Sequence, residues 1–579
     1  QNTALGYQAL VDSTTGNCNV SIGAFSSYCN TTGSFNVAIG RTALRNNTCS
    51  RNIGIGYASG YNGSTAENIV GVGSETLFQN ITGSNNTAIG YRTLYYTNAP
   101  ENTAVGASAL CCNRAGCRNT AVGYLALNRT TNGSFNTAVG RTALMCTTTG
   151  KQNTAVGTYA GCCNTTGCNN TYLGEQSGFI NQSSSNNTGI GQAVLANNTA
   201  DQNTGVGGGA LYANTSGCRN TAVGYATLYN NTEACFNTAV GRTSFQNTTT
   251  GSFNTGIGNY TGQNNVAGLG NTYAGYAAGF TNINSAGNTA IGMQALYYNI
   301  GEGNTALGLC AMLTNVGGDY NTALGYKALM CQAGGAADNN VAIGRCAMFN
   351  NKVSCNNVAI GTFSQFAALS AGINTTVGNG TAECLTTGSN NNALGYYAAR
   401  ELTTGSENIA IGDYAGNKLG NACRNVMIGF CAGKATCNGG DFNVFIGRSA
   451  GQTNTTGCYN VGIGYLTLLD NTTGVQNIAI GSNALGENTT ASIQVGIGDN
   501  ALRCATTGGC NTAVGTSALF KNTTGLKSVA VGSYAGCAGT TSAYNTIIGY
   551  QANRLITTGC FNATLGYVAA YANTTGEYN

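Results

Sequence analysis

The sequence predicts an all-β protein: a β-solenoid or β-roll of about 34 coils of 17 residues, with short parallel strands stacked into a rod. Three observations carry that prediction. A core of five residues, NTAVG or a close variant, recurs from residue 2 to residue 562 at a nearly constant spacing. The fifth residue of the core is glycine every time, from Gly6, Gly23 and Gly40 to Gly549 and Gly566. Gly, Asn and Thr dominate the repeat, and all three are poor in helix interiors.

The cores begin at residues 2, 19, 36, 52, 69, 86, 102, 119, 136, 153 and 170, and the series runs on to 528, 545 and 562, giving 34 units. Most spacings are 17 residues, a few are 16, and the longest is 19, between 321 and 340. Counted from the core Asn as position 1, the unit reads N-T-A-[IVL]-G-x-x-A-[LG]-x-x-N-T-T-G-x-x. Seventeen residues cannot bury a core alone, whereas stacked copies can. TAVG and the following AL are two short β-prone pieces, with apolar side chains at positions 4 and 9. NTTG is turn chemistry, since Asn and Gly tolerate positive φ and Thr hydroxyls bond locally. Strands of successive coils then pair ~4.8 Å apart, and 34 coils make a rod on the order of 160 Å long.

Stacking places like on like. Val105, Val122, Val139 and Val156 are expected to form a continuous buried ridge, and Asn102, Asn119, Asn136 and Asn153 an amide ladder. The repeated glycine marks a bend where a Cβ clashes or φ is positive. Residues 1–579 are expected to form one continuous solenoid without separate caps. Asn579 stands where the next core Asn would be, so the expected partner is the chain itself, as a head-to-tail polymer or homo-oligomer.

Composition narrows the function. Charged residues are 7% of the chain, against roughly 25% in typical soluble proteins. The net charge of +4 is spread thinly with no basic run, which argues against nucleic acid as a partner. No apolar run reaches the ~18 residues of a membrane-spanning helix, so membrane insertion is not expected. The richness in Ile, Val and Thr argues against disorder. There is no His, and the 19 acidic residues keep no fixed unit position, so neither a nucleophile–base set, a paired-carboxylate site nor an Asp-rich calcium repeat is visible. Glycine-rich pieces such as GIGYASG (54–60) lack the following helix of a phosphate loop. No catalytic, cofactor-binding or metal-binding residue is assigned, and the chain is read as not an enzyme. A polysaccharide-lyase reading would need a charged groove.

The 25 cysteines point to an oxidising compartment and hence to an extracellular, cell-surface or virion-surface location. Most fall at positions 10–11 or 16–17, on either side of the NTTG turn. Cys163 and Cys168 bracket one turn, Cys112 and Cys117 a second, Cys504 and Cys510 a third, and each pair is a candidate clip. Cys218 and Cys235 share position 16 in successive coils, within disulfide reach, and Cys146 and Cys162 also lie on adjacent coils. Metal is the weaker reading, because converging pairs and His are missing. Ten sequons lie at or near the turns, at Asn30, Asn80, Asn164, Asn214, Asn247, Asn454, Asn471, Asn488, Asn522 and Asn573. An exposed turn can carry covalent glycans, although Asn-Thr is also good turn chemistry. Tyr often follows the repeated glycine, as at Tyr7, Tyr57, Tyr91, Tyr124 and Tyr225, where it covers the solenoid edge or meets a sugar or a neighbouring rod.

The stretch NTAVGYLALNRTTNGSFNTAVGRTAL (119–144) resembles the repeats of phage and algal-virus tail-fibre-like proteins. It is similar, more distantly, to the heads of trimeric autotransporter adhesins, whose shorter A-[IV]-G repeats form β-rolls. The resemblance covers essentially the whole chain and implies a repeat fibre. The function expected is a structural protein of an extracellular filament or surface appendage, disulfide-stapled, N-glycosylated and assembled head to tail. The alternative is a tail-fibre or adhesin-type shaft that presents a receptor-binding tip lying outside this chain.

Overall fold

The computed structural model describes residues 1–579 apart from Ala333 and Ala336, and it divides into two compact units, residues 1–287 and 288–579. Each unit is a β-solenoid of 17 coils. In the first, 17 three-residue strands run from Thr3–Leu5 to Thr272–Ala274. They pair in parallel and in register, as Thr103 with Thr120, Ala104 with Ala121 and Val105 with Val122. In the second, 17 such strands run from Thr289–Ile291 to Ala563–Leu565. A small second sheet, Tyr298–Asn299, Thr314–Asn315 and Cys331–Gln332, joins three coils at positions 11 and 12. No helix occurs among the described residues.

The core differs from the expected one by a single step. Val105, Val122, Val139 and Val156 stand half-exposed or exposed on the outside of the sheet. The buried ridge is the alanine column one residue earlier, Ala104, Ala121, Ala138 and Ala155, with no exposed surface. Strand side chains alternate between faces, so one inward residue fixes the rest. Asn at position 1 is inward, so position 3 is inward too and positions 2 and 4 face out. Across the coil the inward pair is Ala at position 8 and Leu at position 9, as in Ala109–Leu110, Ala126–Leu127 and Ala143–Leu144.

The asparagine ladder forms. Asn102 Oδ1 accepts the backbone N–H of Asn119 at 3.0 Å and its side-chain amide at 3.2 Å. Asn119 Nδ2 also donates to Gly133 O at 2.8 Å, closing its own coil. Asn136 and Asn153 repeat both bonds. The repeated glycine has both expected reasons. Gly106 has φ +126°, and a Cβ there would lie 2.6 Å from Gly123 O of the next coil.

Positions 3 and 9 exchange volume across the narrow interior. Where position 3 is an aromatic ring, position 9 is glycine: Tyr172 faces Gly178 and Tyr273 faces Gly279 in the first unit, Phe445 faces Gly451 in the second. A Cβ on Gly279 would sit 2.6 Å from the Tyr273 ring, and one on Gly451 2.6 Å from Phe445. Tyr172 is fully buried, and Asn181 Nδ2 donates to its hydroxyl at 2.6 Å. Burial pushes that phenol well above its ordinary pKa.

Gly106→Ala should therefore lower the melting temperature followed by circular dichroism, at a cost of about 1–3 kcal/mol or more from φ strain and overlap together. Thr149→Ala, on an exposed turn, serves as the control and should change little. An alanine tolerated at position 106 as well as at 149 would show that the coils do not approach this closely.

Candidate interaction surface

The sequon asparagines face the interior. Asn30, Asn80, Asn164, Asn214, Asn454, Asn471, Asn488 and Asn522 all occupy position 12 and are buried. Where they fall on successive coils, as at Asn454, Asn471 and Asn488, their amides form a second ladder. Asn30 Oδ1 accepts from Gly33 N at 2.8 Å and Asn30 Nδ2 donates to Gly33 O at 3.1 Å, so the side chain closes the turn. Asn471 Nδ2 donates to Asn454 Oδ1, and Asn488 Nδ2 to Asn471 Oδ1, each at 2.7 Å. A glycan on any of these eight would have to replace an inward amide, so these sites are not the exposed turn positions expected. Asn247 and Asn573 are half-buried. Asn247 Nδ2 donates to Asn264 Oδ1 at 2.9 Å, and Asn573 Oδ1 accepts from Gly576 N at 2.9 Å.

No two of the 25 cysteines bring their sulfurs to disulfide-bonding distance. The expected turn clips Cys112–Cys117, Cys163–Cys168 and Cys504–Cys510 are not formed. Asn113 and Asn164 close the first two turns onto Gly116 and Gly167, the third turn has Ala505 in that place, and the thiols on either side find other neighbours. Cys112 pairs with Cys111, and Cys117 Sγ lies 3.7 Å from Ser134 Oγ. Cys168 Sγ accepts from Lys151 N at 3.4 Å, and Cys504 meets Glu487. Cys146 stands in register with Cys163 rather than Cys162, its N–H donating to Cys162 O at 2.9 Å. Cys218 and Cys235 do meet, with sulfurs 3.0 Å apart.

Position 16 has a simpler chemistry than a staple. Its γ atom accepts the backbone N–H of position 16 one coil earlier. Ser134 accepts from Cys117 N at 3.1 Å, Ser185 from Cys168 N at 3.0 Å, Cys235 from Cys218 N at 3.0 Å and Ser252 from Cys235 N at 3.0 Å. Serine and cysteine are interchangeable there as short acceptors.

Charges and rings also stack coil on coil. Among the described residues all five ion pairs join successive coils, including Arg92–Glu75 at 2.6 Å and Arg400–Glu383 at 2.8 Å. Arg118 meets Glu101 on one side and lies over the Phe135 ring on the other. Aromatic columns occupy positions 10 and 17, which sequence reasoning missed. Tyr61, Phe78 and Tyr95 stack with centroids 5.0 Å apart, as do Phe236 and Phe253, and Phe561 and Tyr578. The tyrosines after the repeated glycine stand exposed, with Tyr124 at 52% and Tyr225 at 64%. Tyr225, with Tyr212 and Tyr229, borders a shallow groove opened by Gly208 and Gly209. Among the described residues no group of three His, Cys, Asp or Glu converges as a metal site.

The outer face of the strands is a regular, uncharged surface. Position 2 is Thr, Val or Ile in all but two coils, Asn392 and Ala563, and position 4 is Ile, Val or Leu in all but one, Ala274. Neither position carries a charge in any strand. Compared with known proteins, the chain matches no family model, and no curated protein matches it.

Thiol reactivity is expected to divide along the same environments. A hydrogen bond from Cys111, with Arg114 and Arg129 nearby, holds the Cys112 thiol below its ordinary pKa, while burial pushes Cys162 up to about 12 and Cys504 up to about 11. Iodoacetamide at neutral pH should alkylate Cys112 at least about tenfold faster than Cys162 or Cys504, because the thiolate is the nucleophile. Peptide mass mapping over time reads the order. Equal rates at Cys112 and Cys162 would contradict these environments.

Proposed function

We propose that the chain is structural, an extracellular β-solenoid shaft of a filament or surface appendage, without a catalytic role. The observation that supports this best is the constancy of the cross-section: in each unit 17 coils repeat the same inward columns in register. A repeat of this kind supplies reach and stiffness, about 80 Å per unit at one ~4.8 Å rung per coil. Its resemblance to tail-fibre-like and, more distantly, adhesin-head repeats points the same way. The columns that join coil to coil within the chain also suit a further coil from another copy, so the proposed partner is the chain itself, end to end. In oxidising surroundings Cys218 and Cys235 are the proposed staple, since they alone of the candidate pairs bring their sulfurs into contact. A shaft of this build serves equally to carry a receptor-binding tip.

Negative-stain electron microscopy of the purified chain should show elongated particles or filaments of uniform width, lengthening with concentration. Non-reducing peptide mapping of secreted material should recover Cys218 linked to Cys235. Compact particles that never lengthen would overturn the shaft, and a free thiol at both cysteines would remove the staple alone.

A further inference from the structure

The first unit carries one feature that neither fold nor shaft requires. In twelve consecutive coils position 2 is threonine: Thr87, Thr103, Thr120, Thr137, Thr154, Thr171, Thr188, Thr204, Thr221, Thr238, Thr255 and Thr272. Each pairs in register with the next threonine, and each is half-exposed or exposed. The fold does not need the hydroxyl, because Val20, Val37, Ile53 and Val70 hold the same position in the same kind of strand. The hydroxyls also differ from those at position 13. Thr131, Thr148 and Thr165 donate to carbonyls of the next coil at 3.1, 3.1 and 2.8 Å. Among the described residues none of the twelve position-2 hydroxyls has a partner within the protein.

We infer that this rank of threonines is a binding face for ice. Its hydroxyls and methyls repeat every ~4.8 Å along the column, and the branched aliphatic column of position 4 runs parallel to it about 6.7 Å away, two strand residues on. Those two spacings lie close to the two repeats of water on the prism face of hexagonal ice. The second column includes Ile89, Val122, Leu173, Ile190 and Ile257, each exposed by at least 36%. Hydroxyls hydrogen-bond lattice water, and the methyl and aliphatic rows order the water between them. No charge interrupts the face to impose its own hydration shell. The buried amide ladder beneath it is the kind of side-chain device that keeps a many-stranded sheet flat. Each contact is weak, but a dozen rungs engaged at once make release rare. The inference does not rest on the shaft reading, and failure of either leaves the other standing.

Thermal hysteresis and partition into a slowly grown ice crystal test it, with the full chain in buffer as the probe. The wild type should shape ice crystals, depress their growth temperature below their melting temperature and enter the ice. The pair Thr137→Lys and Thr154→Lys, at the middle of the rank, should lose most of the hysteresis and partition, with an unchanged circular dichroism spectrum. If the lysines disturb folding, Thr137→Val and Thr154→Val keep the strand shape and should still reduce both readouts. Thr149→Lys, on the turn, should leave both unchanged. Absence of hysteresis in the wild type, or hysteresis indifferent to the position-2 variants, overturns the assignment. So does a wild type that sediments as a side-by-side dimer, dissociated by the lysine pair and inert towards ice, for the face then belongs to a second copy.

Discussion

The structure depends on a buried asparagine at the start of each coil. Its Oδ1 takes the backbone N–H of the next asparagine, and its Nδ2 reaches the glycine carbonyl that ends its own coil. One side chain therefore fixes both the register between coils and the closure of each coil. Buried amides are costly when unpaired and valuable when every bond is made. The natural exceptions follow that logic. Ser528 donates its backbone N–H to Asn511 Oδ1 at 2.9 Å, and its Oγ accepts the N–H of Asn545 at 3.2 Å, so the chain of bonds continues. Ile69 accepts nothing, and Asn86 Nδ2 instead donates to the Gly83 carbonyl of the coil before it.

The unusual composition follows from stacking. In-register coils bring equal positions within one rung of each other, so a repeated charge would repel itself and a repeated neutral group would not. Some of the charges that do occur are answered one coil away, as Glu75 by Arg92 and Glu407 by Arg424. Glycine is needed where coils touch through backbone, and alanine where the interior is one side chain wide. When the interior admits a ring, as at Tyr273 or Phe445, a glycine across the coil yields the room.

The coil length, the parallel stack, the glycine column and the first amide ladder were all legible in the sequence, because each repeats as a single letter at a fixed spacing. The strand parity was not read correctly. Val at position 4 and Ala at position 3 are both apolar, and size alone points to the wrong one as buried. The inward Asn at position 1 decides the matter, since strand side chains alternate. The turn asparagines were read as surface because NTT is good turn chemistry. The signal against that was the glycine three residues on, as in Asn30 and Gly33, which lets the amide fold back inside. The cysteines at position 16 have the spacing of staples, but Ser134, Ser185 and Ser252 hold the same column and make the same backbone bond. The aromatic columns at positions 10 and 17 were missed because they are interrupted, and only contact along the stack makes them visible.

The most direct test of the ladder is amide hydrogen exchange across one altered rung. Asn136→Leu removes the acceptor of the Asn153 N–H and the donor to Gly150 O, while Asn136→Ser keeps a short acceptor in place. The leucine variant should lose protection in the peptides holding Asn136 and Asn153, by an amount corresponding to about 1–3 kcal/mol per unmade bond. The serine variant should retain most of it. Equal protection in the leucine variant and the wild type would mean that apolar packing alone sets the register, and the central role of the asparagine would be lost.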